Sequence, residues 1–303
     1  MNKDHGLLVE RYRSKTLEEY VGNEHIKNQI QNYLDQDDIQ NFIFYGPAGT
    51  GKTTLAKLIV NNLDCDYLYI NASDERGIET IRDKVTSFSS TASFRQIKVV
   101  ILDEADFLTI QAQASLRNVI EKFSRSTRFI MTCNYVERII DPLQSRCQVL
   151  KIIPPSKQEV ARHLADILNK ENTKFDLNDL ANIVNSHHPD IRKMLNTLQL
   201  STKDSEIILD KSVIISSNYM NEVLVELKKS KPNWRTIRQI ILNSNVKDFE
   251  ELYRFLYDEV GSYASGNEGL ATVYLNEYSY HSQFRIDKEI NIMALIAKLI
   301  EIK

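Results

Sequence analysis

The stretch Gly46-Pro47-Ala48-Gly49-Thr50-Gly51-Lys52-Thr53 matches G-x-x-x-x-G-K-[ST] at every fixed position. It follows Phe42-Ile43-Phe44-Tyr45, an apolar run of strand length. It precedes Thr54-Leu55-Ala56-Lys57-Leu58-Ile59, which reads as a helix packing one face. Strand, glycine-rich loop and helix together form the context in which such a loop binds phosphate. Glycines let the main chain approach anionic oxygens with no Cβ in the way. The loop N–H groups and the helix N-terminus behind them favour negative charge. In this reading Gly46 to Thr54 surround the phosphates, Lys52 reaches the β- and γ-phosphates of ATP, and the Thr53 hydroxyl ligates Mg2+. The competing reading is a glycine-rich turn without a ligand, and the agreement of motif and context disfavours it.

A chain that binds a nucleotide in this way is built on alternating strands and helices. Tyr67–Ile70 reads as a second strand, Ile97–Leu102 as a continuous apolar strand buried on both faces, and Arg128–Thr132 as another. Helices are expected from a cap at Asn23 to about Leu34, along Ile78, Ile81 and Val85, and at Gln111–Phe123. The capping-box spacing of Thr16 and Glu19 predicts a short helix there. Pro154-Pro155 marks a boundary. Ser156 and Glu159 then form a capping box, and further helices start at Asp176 and at Pro189-Asp190. Residues 204–217 read as a linker or short connecting helix. Only helices follow, at 219–229, 233–243, 246–264, 267–280 and 287–302. The expected fold is thus an α/β P-loop domain at 1–153, with a parallel sheet between helices. A small helical domain at 154–215 and an all-helical domain at 216–303 follow it.

Asp103-Glu104 closes the buried strand and supplies the second half of an ATPase site. Asp103 can hold the Mg2+ shell and Glu104 can polarise the attacking water. Asn134, at the end of the next strand, can orient that water or touch the γ-phosphate.

The formal charge of −3 gives no overall nucleic-acid signature, so any DNA contact has to come from a local patch. Cys65, Cys133 and Cys147 form no C-x-x-C pair, which disfavours a metal knuckle and fits buried thiols in a reducing compartment. No apolar run approaches the ~20 residues of a membrane span, and the N-terminus has no signal-peptide hydrophobic region. A cytoplasmic protein is expected.

These segments occur in a recognisable order: Gly46–Thr53, Ile101-Leu102-Asp103-Glu104-Ala105-Asp106, Thr132-Cys133-Asn134, Ser145-Arg146-Cys147 and Asp190-Ile191-Arg192. The chain resembles AAA+ sliding-clamp loaders, in particular replication factor C small subunits. It looks closer still to the large, ATP-hydrolysing subunit of the clamp loader of T-even-like bacteriophages, whose compartment would be the host cytoplasm. The likeness covers nearly the whole chain. Its most specific pieces are Asn71–Gly77, Pro142–Cys147 and Tyr280–Arg285.

The resemblance implies a helical lid and a helical collar after the AAA+ domain. It also implies a reaction cycle in which ATP opens a clamp on primer–template DNA and hydrolysis releases it. Arg146 is implied to act in trans on the ATP of a neighbouring subunit, and Arg192 to reach the γ-phosphate in its own. Tyr12, Arg13, Val21 and Gly22 match the segment that lies on the adenine, although Ser14 stands where many relatives have proline. Arg76, the helix start at Ile78, Arg82 and Thr109 match positions that follow DNA phosphates. Read from the residues alone they form a solvated face, with Glu79 and Asp83 offsetting Arg82. Gln113 matches a glutamine that couples the DNA and nucleotide sides. Asn71 has two open readings, a switch that holds Glu104 or a loop cap. Phe88 and Phe94 match the segment that docks on the sliding clamp, and both could equally be tucked into the core. Implied partners are the clamp, primer–template DNA, several copies of this chain and a distinct companion subunit. A branch-migration helicase or remodeller of the same ATPase class is the alternative. A small-molecule kinase would leave Arg146 and the collar without purpose, and a non-catalytic scaffold would not need Lys52, Thr53, Asp103 and Glu104.

Overall fold

The computed structural model describes residues 6–74, 78–93, 95–209, 211–244, 246, 249–282 and 284–302, with the side chains of 78–81, 211–218 and 251 outside the description. The elements run α1 (Leu8–Arg11), α2 (Glu24–Leu34), β1 (Phe42–Tyr45), α3 (Lys52–Asn61), β2 (Cys65–Asn71), α4 (Ile78–Ser90), β3 (Ile97–Asp103), α5 (Ile110–Lys122) and β4 (Thr127–Cys133). After them come α6 (Asp141–Gln144), β5 (Gln148–Lys151), α7 (Lys157–Lys170), α8 (Leu177–His187) and α9 (Ile191–Ser201). The rest is helical apart from two two-residue strands: α10 (Lys211–Lys228), α11 (Trp234–Ser244), α12 (Glu250–Asp258), α13 (Val260–Tyr263), α14 (Glu268–Ser282) and α15 (Lys288–Glu301).

The chain divides into two compact units, 1–175 with 187–206, and 176–186 with 207–303. The first holds a five-stranded sheet in the order β2-β3-β4-β1-β5, with every pairing parallel. Alternation along each strand sends side chains to opposite faces. Phe42, Phe44, Val99, Ile101 and Ile130 pack with Ile26 and Ile30 of α2 and Leu55, Leu58 and Ile59 of α3. Ile43, Val100, Leu102, Phe129 and Met131 pack on the other side with Val85 of α4 and Leu116 and Ile120 of α5. β3, an interior strand between β2 and β4, is buried at every residue, which is why its sequence is apolar apart from Lys98 and Asp103. The second unit has its own core, with Val223, Ile237, Leu252, Leu256, Ile292 and Leu295 fully buried.

The local readings hold at most element starts. Ser156 caps α7 in a complete capping box, and Asp190 caps α9 by accepting from Lys193 N. Four differ. Residues 17–19 form a turn, not a helix. Half of the capping box forms, with Glu19 N donating to Thr16 Oγ1 at 3.4 Å, but the Glu19 carboxylate accepts from Lys15 N at 2.7 Å, one residue before the cap. The chain then leaves helical space, with Gly22 at φ 74°. Asn23 precedes α2, yet its side chain bonds the main chain of Ile153 at both amide atoms and caps nothing. α10 begins at Lys211, inside the stretch read as a linker or short connecting helix, and runs on to Lys228 where a separate helix was expected to start at 219. The helix expected over 246–264 is two, because Glu259 leaves helical ψ at 8°. Cys133 is buried as expected, whereas Cys65 and Cys147 are only half-buried. Burial pushes the Cys65 thiol up to about 11 and those of Cys133 and Cys147 to about 12. No helix among the described residues is long and apolar enough to cross a membrane.

Candidate nucleotide site and membership of a family

The carboxyl ends of β1, β3 and β4 lie side by side, and each delivers one part of the site. β1 runs into the glycine loop. Gly49 has φ 73° and Gly51 has φ 93°, conformations that L side chains rarely adopt. A Cβ on Gly51 would lie 2.9 Å from the Tyr20 ring, so the tight packing also demands glycine. A Cβ on Gly49 would collide with the Asp190 carboxylate at the start of α9.

Lys52 opens α3 and is 8% exposed. Its Nζ donates to Gly46 O at 2.8 Å, Pro47 O at 2.7 Å and Asn134 Oδ1 at 2.8 Å. These oxygens use all three donors of the ammonium and stand where phosphate oxygens would replace them. Burial moves Lys52 below the usual lysine range, opposed by Cys133 and by the carboxylates of Asp106 and Asp103.

Asp103 accepts hydrogen bonds from three hydroxyls. Thr53 Oγ1 and Tyr69 OH each lie 2.7 Å from it, and Thr132 Oγ1 is the third donor. A threonine hydroxyl beside a carboxylate is a hard oxygen set that suits Mg2+, which binds few protein ligands and keeps several waters. Thr53 and Asp103 would hold the ion, and when bound it would neutralise phosphate charge. Glu104 follows in left-handed backbone at φ 55°, its N–H donating to Thr132 Oγ1 at 3.1 Å. Non-glycine residues held there cost roughly 1–3 kcal/mol and cluster at functional sites. The turn directs the Glu104 side chain into the cleft that Lys52 and Asp103 line. Asp106, 8% exposed, accepts from Asn134 N at 3.1 Å and Tyr135 N at 3.3 Å, which fixes the end of β4.

The same cleft is lined by Tyr12, Arg13, Val21, Ala48, Gly49, Thr50, Gly51, Thr54 and Arg192, all singled out from the sequence. Gly46 and Pro47 sit behind it as Lys52 acceptors. Gly22 is not in the lining and packs near Pro155. Tyr12 OH and Arg11 Nη1 bind Glu171, tying the N-terminal segment to the last turn of α7. Arg146 lies outside this cleft. Its guanidinium is held by Glu121 of α5 and by Pro142 O at 2.7 Å.

Among the remaining sequence candidates, Gln113 is 1% exposed and uses both amide atoms. It donates to Leu108 O and Arg138 O and accepts from Ile140 N at 2.8 Å, which joins α5 to the segment entering α6. Asn71 caps its own loop, Oδ1 accepting from Ser73 N at 3.0 Å and Ser73 Oγ at 2.9 Å. Thr109 caps α5, and Arg82 is exposed beside Asp83 at 3.2 Å. Phe88 is half-buried against the sheet. α4 starts at Ile78, but the Ile78 side chain, Arg76 and Phe94 lie outside the described residues.

Tyr69, His163 and Glu171 are among the residues at the site that sequence reasoning gave no role. Thr132 was quoted only within the run Thr132-Cys133-Asn134, and its hydroxyl two residues before Asn134 was the signal. The others are brought in by tertiary structure alone. His163 of α7 lines the cleft, and burial lowers its pKa against the opposing charge of Asp166. As pH falls, the unfolded chain therefore takes up this proton first, near the ordinary histidine value of about 6.5. Its stability contribution is complete above that value and is lost as pH falls toward the folded pKa. Melting temperatures measured from about pH 7 to about pH 5 should decline, and His163→Gln should flatten the decline. An unchanged slope in the variant would contradict the neutral histidine.

Residues 42–155 match the model of the ATPase family associated with various cellular activities (AAA). The replication factor C small subunit of Archaeoglobus fulgidus is 37% identical, over 78% of this chain and 77% of that one. The same subunit from Sulfolobus acidocaldarius is 32% identical over 97% and 95%. The chain belongs to the replication factor C small-subunit family. It is an AAA+ ATPase, and its role is that of a clamp-loader subunit in DNA replication. The replication factor C fold is shared more widely. The Thermotoga maritima RuvB Holliday junction branch migration motor aligns with TM-score 0.56 over 86% of this chain and 85% of its own. At 16% identity, that likeness speaks to fold alone.

Proposed function

We propose that this replication factor C small-subunit homologue binds Mg2+-ATP in the cleft and hydrolyses it only when a neighbouring subunit completes the site. The observation that carries the proposal is the separation of parts. Lys52, Thr53, Asp103, Glu104, Asn134 and Arg192 converge on one cleft, while Arg146 is held outside it by Glu121. Lys52 binds the β- and γ-phosphates, trading two main-chain carbonyls for phosphate oxygens. Asn134, released from Lys52, orients the attacking water, and the Glu104 carboxylate takes up its proton. Arg192 approaches the γ-phosphate from α9. Arg146 of the adjacent copy stabilises the charge that develops as the phosphoryl group leaves.

The partners follow from the same reading: a sliding clamp, primer–template DNA, further copies of this chain and a companion subunit. The exposed Arg82, the Thr109-capped start of α5 and the segment around Arg76 and Ile78 meet DNA phosphates without reading bases. Gln113, which fixes both α5 and the approach to α6, passes DNA contact to Arg146. The segment of Phe88 and Phe94 meets the clamp. Asn71 is assigned the loop cap, since Ser73 occupies its Oδ1. The three-part division at 153/154 and 215/216 gives the lid that carries Arg192 and the collar through which subunits assemble. The work takes place in the cytoplasm.

ATP turnover by the assembled loader, with and without clamp and primer–template DNA, tests the function. Stimulation by clamp and DNA together, exceeding either alone, is expected. Equal stimulation by duplex or branched DNA without a clamp would instead describe a translocating motor.

A further inference from the structure

Lys98 is the second residue of β3 and is 3% exposed. Its ammonium reaches back to the end of α4. Nζ donates to Phe88 O at 2.6 Å, to Thr91 Oγ1 at 2.8 Å and to the Thr91 carbonyl, and it lies 5.1 Å from the centre of the Phe88 ring. Three acceptors use the three donors of the group. The last carbonyls of a helix have no partner within it, and that end carries the negative pole of the helix dipole. A cation is therefore well placed there, but taking it out of water is costly.

The following residues are anchored as well. Ser93 Oγ donates to Asp66 Oδ2 of β2 at 2.7 Å and accepts from Arg95 N at 2.9 Å. Between the two anchors Thr91 and Ala92 are exposed. The result is a short outward turn fastened at one end to β3 and at the other to β2. We infer that Lys98 is a positioning residue that holds this turn in the shape that seats on the sliding clamp. The inference rests on the proposal that the segment around Phe88 docks there. Removing the ammonium takes away the donor to the Thr91 carbonyl and hydroxyl, leaves the Phe88 carbonyl only the Thr91 hydroxyl, and frees the turn to fray.

The test uses the full chain in its loader assembly with the sliding clamp of the same organism. Lys98→Met should accelerate amide exchange over residues 86–93 and weaken clamp binding by about tenfold. ATP affinity and turnover without clamp should stay native, a division that general destabilisation would not produce. Lys98→Arg keeps the charge with altered donor geometry. It should recover part of both losses, and it supplies the measurement if the methionine variant does not fold. Ala92→Asp, on the exposed turn, should weaken clamp binding while exchange stays native. Native clamp binding by Lys98→Met alone would overturn the role of Lys98. Native clamp binding by both Lys98→Met and Ala92→Asp would overturn the docking proposal itself.

Discussion

Lys52→Ala is expected to abolish ATP binding at useful concentrations and, with it, all turnover. The ammonium is buried and its oxygens are arranged to be exchanged for phosphate oxygens. Truncating one member of a buried, hydrogen-bonded charge pair costs about 2–5 kcal/mol, or roughly 30-fold to several thousand-fold in affinity. The substitution also takes the Lys52 donor from the Gly46 carbonyl, while Pro47 O keeps the Thr50 hydroxyl, and the lost donor costs about 1–3 kcal/mol of stability if water does not replace it. Circular dichroism and a melting curve therefore accompany the binding titration. A folded variant with native ATP affinity would remove the cleft from the account.

Arg146→Ala is expected to behave in the opposite way. ATP binding should be native, because the side chain does not line its own cleft. The bond to Glu121 is at the surface, with Arg146 32% and Glu121 52% exposed, and such pairs are worth about 0–1 kcal/mol. Stability should hardly change. Turnover in the assembly should fall by about 10²-fold or more. One preorganised donor to developing charge is worth about 10²–10³, and an arginine finger in GTPases about 10³–10⁵. A small stability effect beside a large rate effect distinguishes a catalytic contact from a structural one.

The site was legible wherever chemistry is contiguous in sequence. The loop Gly46–Thr53 carries its own context, and Asp103-Glu104 sits at the end of a strand whose burial is written in seven consecutive positions. Asn134 was legible as the polar end of another apolar strand. What was not legible depends on distant segments meeting. Tyr69 bonds Asp103 because β2 pairs with β3 in register, Asn71 opposite Asp103. His163 and Glu171 reach the N-terminal segment only because α7 packs there. At the local level, Thr16 and Glu19 show the limit of a motif. One capping-box bond forms while the Glu19 carboxylate goes to Lys15 N, the backbone at Gly22 turns away, and no helix grows there. Asn23 has the right residue type for a cap and is engaged by Ile153 instead. Lys98 passed unremarked in the apolar run of β3, and its partners are visible only once α4 is folded against the sheet.

If each active site is shared between two subunits, as proposed, mixing variant subunits reveals it. Subunits carrying Lys52→Ala lack a working cleft, and subunits carrying Arg146→Ala lack the group supplied to a neighbour. Each variant alone should assemble and be inactive. In mixed assemblies some interfaces join an intact cleft to an intact Arg146. Clamp- and DNA-stimulated turnover should then reappear, pass through a maximum as the ratio is varied, and vanish at both ends. Turnover that stays absent at every ratio, with co-assembly verified by mass measurement, would place Arg146 in the service of its own subunit and contradict the account.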